Sequence, residues 1–372
     1  MESVLSFSVI KIALAGTSGF LVAFLFAPSL LSFLVRHKLW RKEVRTKALG
    51  GGALPVFQKF HTEGETSVPR LGGLLVWLVP PFIAFLFFLF EKVDIWPTGS
   101  FNFLSRSQTW LPVATLLAAS FVGFIDDILQ VIVTPSHKIL KRLWPLMEKY
   151  GAGSPAQAGG LSLRYRLSLI GLIAMTGAWW FYEKLGWSTL HIPGGGDIQL
   201  GWLYIPIFFI VMLATYSGGI IDGLDGLAGG TFASMFAAYA VIAFAQHQID
   251  LAAFCITLVG TILAFLWFNI PPARFYMGEA GMMGLTATLT VVAFLTDSVL
   301  VLPIIAFPLV LESGSTIIQF FSKKFFKRKV FLATPIHHHF EALGWPHYQI
   351  TMRFWVIGIV MAIAGVAIRL LG

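Results

Sequence analysis

The chain has 372 residues, of which 57% are hydrophobic and only 12% charged, and its mean hydropathy is +0.79. Soluble globular domains carry about a quarter charged residues, so a soluble fold is excluded and an integral membrane protein is implied. The formal charge of +8 resides in basic loops beside apolar runs, the positive-inside pattern, which argues against nucleic acid as a partner.

A bilayer crossing needs about 20 mostly apolar residues. Ten transmembrane helices are predicted, near 8–35, 71–90, 109–131, 167–182, 203–219, 226–246, 251–268, 282–297, 299–321 and 353–371. Strand alternation is absent, so helices and not a barrel satisfy the backbone in lipid. The first run is too long for a cleaved signal and contains Lys11, so it reads as the first span. No solenoid repeat or long polar tail is visible, and residues 1–372 read as a single integral membrane domain. Cys255, the single cysteine, lies inside an apolar run and can form no internal disulfide.

Twenty lysines and arginines fall in alternate loops, after the first, third, seventh and ninth spans. Only Lys92, Arg106 and Lys184 fall in the opposite loops. That asymmetry makes the first set cytoplasmic and both termini periplasmic, which requires an even number of spans. The Gly-rich segments at 48–55 and 193–197 lack a following Lys-Ser or Lys-Thr, so neither is a P-loop, and both read as flexible connectors.

The polar motifs fall in the loops assigned to the cytoplasm. Asp126 and Asp127 (FIDDI) end the third span, where adjacent carboxylates oppose the helix dipole and repel each other. A metal cation or nearby lysines must compensate them, unless they are merely solvated. In IDGLDGLAGG, Asp222 and Asp225 share one face if the turn is helical. The spacing excludes an EF-hand. After the seventh span comes WFNIPPARFYMGEAG, in which Asn269 caps the span, two prolines force an extended stretch, and Glu279 follows. In TPIHHHFEALGW, His337, His338 and His339 point in different directions, which suits a His₃ zinc site poorly. Two of the three could donate to phosphate oxygens. Glu312, inside the ninth span, is either functional or paired within the bundle. Carboxylates from three loops with basic residues and histidines suggest a divalent cation and a phosphorylated substrate.

The order FIDDI, DGLDGLAGG, LWFN with MGEAG, then TPIHHHFEALGW resembles the polyprenyl-phosphate N-acetylhexosamine-1-phosphate transferases, over nearly the whole chain. The resemblance implies an all-α polytopic membrane protein of about ten spans with its active site on the cytoplasmic face of the bacterial inner membrane. It also implies an enzyme. The HHHFE segment points to the branch whose donor is UDP-N-acetylmuramoyl-pentapeptide and whose acceptor is undecaprenyl phosphate. The lipid phosphate would attack the β-phosphate of the nucleotide sugar and release UMP. Mg²⁺, with Mn²⁺ as the alternative, would be the cofactor. Carried over position by position, Asp126, Asp127 and Asp222 are the catalytic acids, with Asp126 beside the lipid phosphate as base or orienter. Asp225 and Asn269 face the uracil and ribose, Tyr276 lies against the base, and His337 and His338 contact the pyrophosphate. Arg70 also binds substrate, and Glu279 with Asp222 holds the metal. The resemblance admits a homodimer.

The chain departs from the family pattern at four places. Glu65 and Gln130 stand where lysines are usual, Gly219 replaces an asparagine, and MGEAGM replaces MGDTGS; Arg70 and Arg166 could substitute for the lost lysine charge. The PRLGG form around Arg70 is closer to the branch that uses UDP-GlcNAc. Other readings are a catalytically inactive relative that binds the same ligands, and a transporter. A transporter would place its ionisable residues near the bilayer midplane.

Overall fold

The computed structural model describes residues 2–41, 66–93, 101–105, 107–131 and 160–372. The Gly-rich segment 48–55, Glu65, Arg106 and the basic residues from Lys42 to Lys59 and from Lys138 to Lys149 lie outside them. Among the described residues the chain runs α1 (Glu2–Arg36), α2 (Leu74–Lys92), α3 (Trp110–Val131) and α4 (Leu163–Trp179). A hairpin of β1 (Thr189–Ile192) and β2 (Gly196–Gln199) follows. Next come α5 (Tyr204–Ser217), α6 (Leu227–Ala245), α7 (Ile249–Asn269) and α8 (Gly278–Leu295). The last elements are α9 (Leu302–Ile305), α10 (Phe307–Phe321), α11 (Ile336–Ala342) and α12 (His347–Leu371).

The chain is a polytopic membrane protein. Eight of these helical segments are long and apolar enough to cross a membrane, and the bent stretch 299–326 brings the number to nine. Two predicted spans differ from expectation. The run 167–182 is recovered as α4, only 17 residues long with Arg164 and Arg166 in its first turn, continued by a wide turn at Trp180–Lys184. The run 299–321 is not straight but bends by 80° at Ala306. Pro303 and Pro308 open α9 and α10, and Pro308 cannot donate the hydrogen bond that would continue the first piece into the second. The segment 193–197 is no loose connector either. It turns the antiparallel hairpin, with Ile192 opposite Gly196.

Residue chemistry sorts the helices by depth. In α8 every residue from Ala280 to Leu295 is buried, as expected of a helix that is apolar on all sides. Thr286 and Thr290 return their hydroxyls to carbonyls one turn back, to Met282 O at 2.8 Å and Thr286 O at 3.2 Å, which satisfies those two hydroxyls inside the bundle. By contrast, only 28% of the apolar window of α1 and 22% of that of α12 is buried, so these two are the least enclosed of the long apolar helices.

Two close contacts fix the rest. The helices α1 and α7 lie parallel, with Lys11 Nζ 2.6 Å from Asp250 Oδ1 at the start of α7 and Phe24, farther along α1, against Phe268 at the end of α7. Between them Gly16 and Gly260 touch so closely that a Cβ at Gly260 would lie 2.1 Å from Gly16 O. The helices α3 and α8 meet in the same way but antiparallel. A Cβ at Gly123 would lie 2.1 Å from Glu279 O, and one at Gly284 would lie 1.9 Å from Ser120 Oγ. Small residues let membrane helices approach in this manner. Gly123→Ala must therefore displace backbone. We expect it to cost about 1–3 kcal/mol, the range for an overpacked core, seen as a lowered melting temperature in detergent together with reduced turnover.

Candidate active site

The α3–α8 contact sets the carboxyl-terminal turn of α3 against the first turn of α8. Asp127 exploits that geometry. It accepts the backbone N–H of Glu279 at 3.1 Å and of Ala280 at 2.9 Å, amides that a helix start leaves unpartnered. Gly278 has φ +73°, and a Cβ there would lie 2.4 Å from Asp127 Oδ2, so both the turn and the carboxylate require glycine. Arg70 adds its charge, with Nε 3.7 Å from Asp127 Oδ1.

Asp126 faces a different cation. Arg166, at the start of α4, places Nη2 3.2 Å from Asp126 Oδ2 and Nη1 2.7 Å from Glu279 Oε1. Asp126 also accepts from the backbone N–H of Leu161 and from the Gln130 amide. Arginines and helix-start amides thus compensate the two carboxylates, where the sequence left a metal cation or lysines as the alternatives. Two buried aspartates side by side persist because each has its own arginine and its own set of N–H donors.

Asp222 and Asp225 do not share a helix face. The chain makes a short 3₁₀ turn at Gly218–Ile221 and helix resumes only at Leu227. Asp222 accepts from Gly278 N–H at 3.3 Å and Asp225 from Ala273 N–H at 2.9 Å, so the pair clamps the two ends of the segment 273–278. Burial pushes the Asp222 carboxyl up to about 6, with Arg70 pulling it down and Glu279 pushing it further up. Asn269 does not cap its own helix. Its Oδ1 accepts Gly226 N–H at 3.0 Å and its Nδ2 donates to Phe275 O at 2.9 Å, tying the aspartate loop to the stretch that leads into α8. Tyr276 is half-buried there.

The PRLGG segment is the other strand of this arrangement. Tyr276 N–H donates to Pro69 O at 2.8 Å, Gly72 N–H to Tyr276 O at 2.9 Å, and Gly73 N–H to Met277 O at 3.0 Å. A Cβ at Gly73 would lie 2.4 Å from Met277 O, so the glycines allow two backbones to touch, and Arg70 is aimed by that pairing.

The three histidines separate as expected. His337 is fully buried, with Nδ1 2.9 Å from Glu312 Oε2, and its Nε2 is turned to the backbone of Gly223. Glu312 is therefore paired within the bundle. Burial disfavours a charge on His337, but Glu312 outweighs it and raises the imidazole above its ordinary value. His338 pairs instead with Glu341, which also accepts from His347 at 2.8 Å. His339, half-buried, accepts from Leu332 N–H at 3.2 Å. Asp126, Asp127, Asp222, Glu279 and Arg70 thus form one centre, His337 adjoins it through Gly223, and Asp225 with Asn269 frames it. His338 lies against His337, ring centroids 4.1 Å apart, and is held by Glu341. Arg166 and Gln130 are central to the geometry; the sequence shows Arg166 as a candidate replacement, with Arg70, for the missing lysine charge, and Gln130 as a departure.

The model of the glycosyl transferase family 4 matches residues 109–297, from the start of α3 to the end of α8, and so contains every acid of this centre. The chain belongs to glycosyl transferase family 4. Its relatives include the phospho-N-acetylmuramoyl-pentapeptide-transferase of Geobacillus thermodenitrificans, 32% identical over 362 residues, covering 96% of this chain and 98% of the relative. Proteins of the same name from Bacillus velezensis (30% identical, 99% of both chains) and Lactiplantibacillus plantarum (34% identical, 94% of this chain and 96% of the relative) match similarly. What this family 4 member adds to the pattern is a glutamate at 279 already seated on an arginine.

Among the described residues, no three His, Cys, Asp or Glu side chains gather closely enough to hold a metal ion by themselves. Asp222 and Glu279 nevertheless suit a hard divalent cation. Both are oxygen donors and partly exposed. Mg²⁺ is commonly held by one or two carboxylates together with substrate phosphates.

Proposed function

We propose that the protein transfers phospho-N-acetylmuramoyl-pentapeptide from its UDP-activated form to undecaprenyl phosphate, releasing UMP, at the cytoplasmic face of the bacterial inner membrane. The observation that carries the reading is the centre in which buried Asp126, Asp127 and Arg166 meet the partly exposed Asp222, Glu279 and Arg70, in a chain whose relatives across almost its full length bear that enzyme's name. An oxygen of the lipid phosphate forms a bond to the β-phosphorus as the bond from that phosphorus to the UMP oxygen breaks, and UMP leaves with the electron pair. Both partners are anionic, so the chain must supply positive charge and alignment. Arg70 and Arg166 supply the charge. The Asp126 oxygens already accept from Leu161, Gln130 and Arg166, which favours orientation over proton abstraction, and a phosphate dianion needs no base. Asp222 and Glu279 would hold the Mg²⁺, which when bound neutralises phosphate charge. Asp225, Asn269 and Tyr276 would bound the nucleoside end, and His337 would meet the pyrophosphate.

The test is direct. Purified protein with undecaprenyl phosphate and either UDP-N-acetylmuramoyl-pentapeptide or UDP-GlcNAc should release UMP and form labelled lipid product with the first donor only. Product from UDP-GlcNAc alone would move the chain to the other branch, favoured by PRLGG. Absence of product from both would support an inactive relative.

We further infer ten crossings with both termini periplasmic. The parallel packing of α1 on α7 supports this, because five crossings must then separate them, and the fifth can only be α4 with its wide turn. A reporter fused after Lys184 or at the carboxyl terminus should be active only in the periplasmic form. Cytoplasmic activity at the carboxyl terminus with periplasmic activity at Lys184 would refute the count.

A further inference from the structure

Gln130 stands where the family pattern carries a lysine, and its surroundings indicate what replaces that charge. One turn beyond Asp126 on α3, Gln130 donates its Nε2–H to Asp126 Oδ2. Its Oε1 accepts from Arg41, through Nε at 3.1 Å and also through Nη2. All three side chains are buried. A guanidinium has donors only and a carboxylate acceptors only, whereas a primary amide has both and can join them in one order. With Arg41 on its oxygen, the Gln130 amide cannot turn that oxygen toward Asp126. The relay is held at both ends. Leu39 O, two residues before Arg41, accepts Arg70 N–H at 3.0 Å, tying the Arg41 segment to PRLGG. Gly160, at φ +80°, closes over the other end, where a Cβ would lie 2.6 Å from Asp126 Oδ1 and 2.9 Å from Gln130 Cγ.

We propose that Arg41, acting through Gln130, is a positioning residue for the transfer reaction and supplies positive charge to the Asp126 side of the centre. The proposal rests on the function inferred above. A lysine would set its ammonium directly on Asp126. The Arg41–Gln130 pair moves the cation one side chain outward and substitutes an oriented N–H dipole at the carboxylate. Asp126 then meets Arg166 and Leu161 N–H on its remaining positions, so its carboxylate plane is fixed from three directions against the repulsion of Asp127 and Glu279.

The test is a charge relocation in the full-length protein in nanodiscs, comparing wild type, Arg41→Ala, Gln130→Lys and the double variant. Arg41→Ala should lower kcat about tenfold or more, the effect of a lost charge-assisted hydrogen bond, while KM for the UDP-sugar stays within about twofold. Gln130→Lys alone should also lose activity, because two cations then crowd one site. In the double variant the lysine should restore kcat about tenfold over Arg41→Ala, a non-additivity expected only of coupled residues. An Arg41→Ala enzyme with wild-type kcat, or a double variant no better than Arg41→Ala, overturns the proposal. The same four proteins are read by melting temperature, which needs no turnover. Arg41→Ala should melt lower and the double variant should recover. If wild type turns over neither UDP-sugar, the inferred function fails, while recovery of the melting temperature still supports the relay and its absence overturns it.

Discussion

Arg166→Ala is expected to lower turnover by about a thousandfold and to destabilise the fold, since removing one partner of a buried ion pair costs about 3–5 kcal/mol. Arg166 bridges Asp126, which is fully buried, and Glu279. Without it, two carboxylates lie beside Asp127 and the incoming phosphates with their shared cation gone. Arg166→Lys should recover only a fraction of the loss, because a point-charge ammonium cannot bridge two carboxylates as the guanidinium fork does. UMP release in nanodiscs measures the first effect and thermal unfolding the second. If Arg166→Ala keeps more than about a tenth of wild-type turnover, a loss far below that expected of a broken buried pair, Arg166 does not belong to the centre.

Glu279→Gln should abolish activity, and Glu279→Asp should retain only a small fraction of it. The amides of residues 279 and 280 are already taken by Asp127, so the glutamate side chain is not needed to finish its own helix start. Its Oε1 instead reaches Arg166 at 2.7 Å. Glutamine can keep that hydrogen bond but not the charge, so it separates electrostatics from placement. Aspartate keeps the charge but retracts it by about one carbon–carbon bond, too far for both Arg166 and a cation that demands contacts at about 2.0–2.1 Å. Turnover measured across Mg²⁺ and Mn²⁺ concentrations checks both. The more forgiving Mn²⁺ should narrow the gap between glutamate and aspartate. Wild-type turnover and metal affinity in Glu279→Gln would remove residue 279 from the metal's ligands.

How much of this can be read from the sequence differs by residue. Apolar runs locate nearly every helix within a few residues, because a bilayer imposes one length on them all. The bend at Ala306 is invisible to hydropathy although Pro303 and Pro308 mark it, since the apolar run continues through both prolines. Asp126, Asp127, Asp222 and Glu279 are legible as candidates, and the structure brings them together. Of their partners, Arg70 is legible from PRLGG, but the backbone N–H donors are not. Arg166 is legible as a replacement for missing lysine charge, but only the approach of α4 to α3 shows that it bridges Asp126 and Glu279. Asn269 and the glycines of PRLGG bond to segments far away in the chain, and no local spacing encodes such a contact. Asp222 and Asp225 mislead in the opposite direction, because a spacing of three implies a shared face only where the backbone is helical.

The complete enclosure of α8 also governs where this protein tolerates change. Added volume anywhere between Ala280 and Leu295 has no lipid side to move toward, so a larger side chain must push neighbouring helices apart. Because α8 also presents the amides that seat Asp127, the disturbance reaches the reacting groups. The outward sides of α1 and α12 are not packed against the rest of the chain, and in a bilayer the acyl chains beside them would rearrange around any apolar shape. A saturation library would therefore find its permissive positions in the first and last crossings and almost none in α8, although all three are apolar.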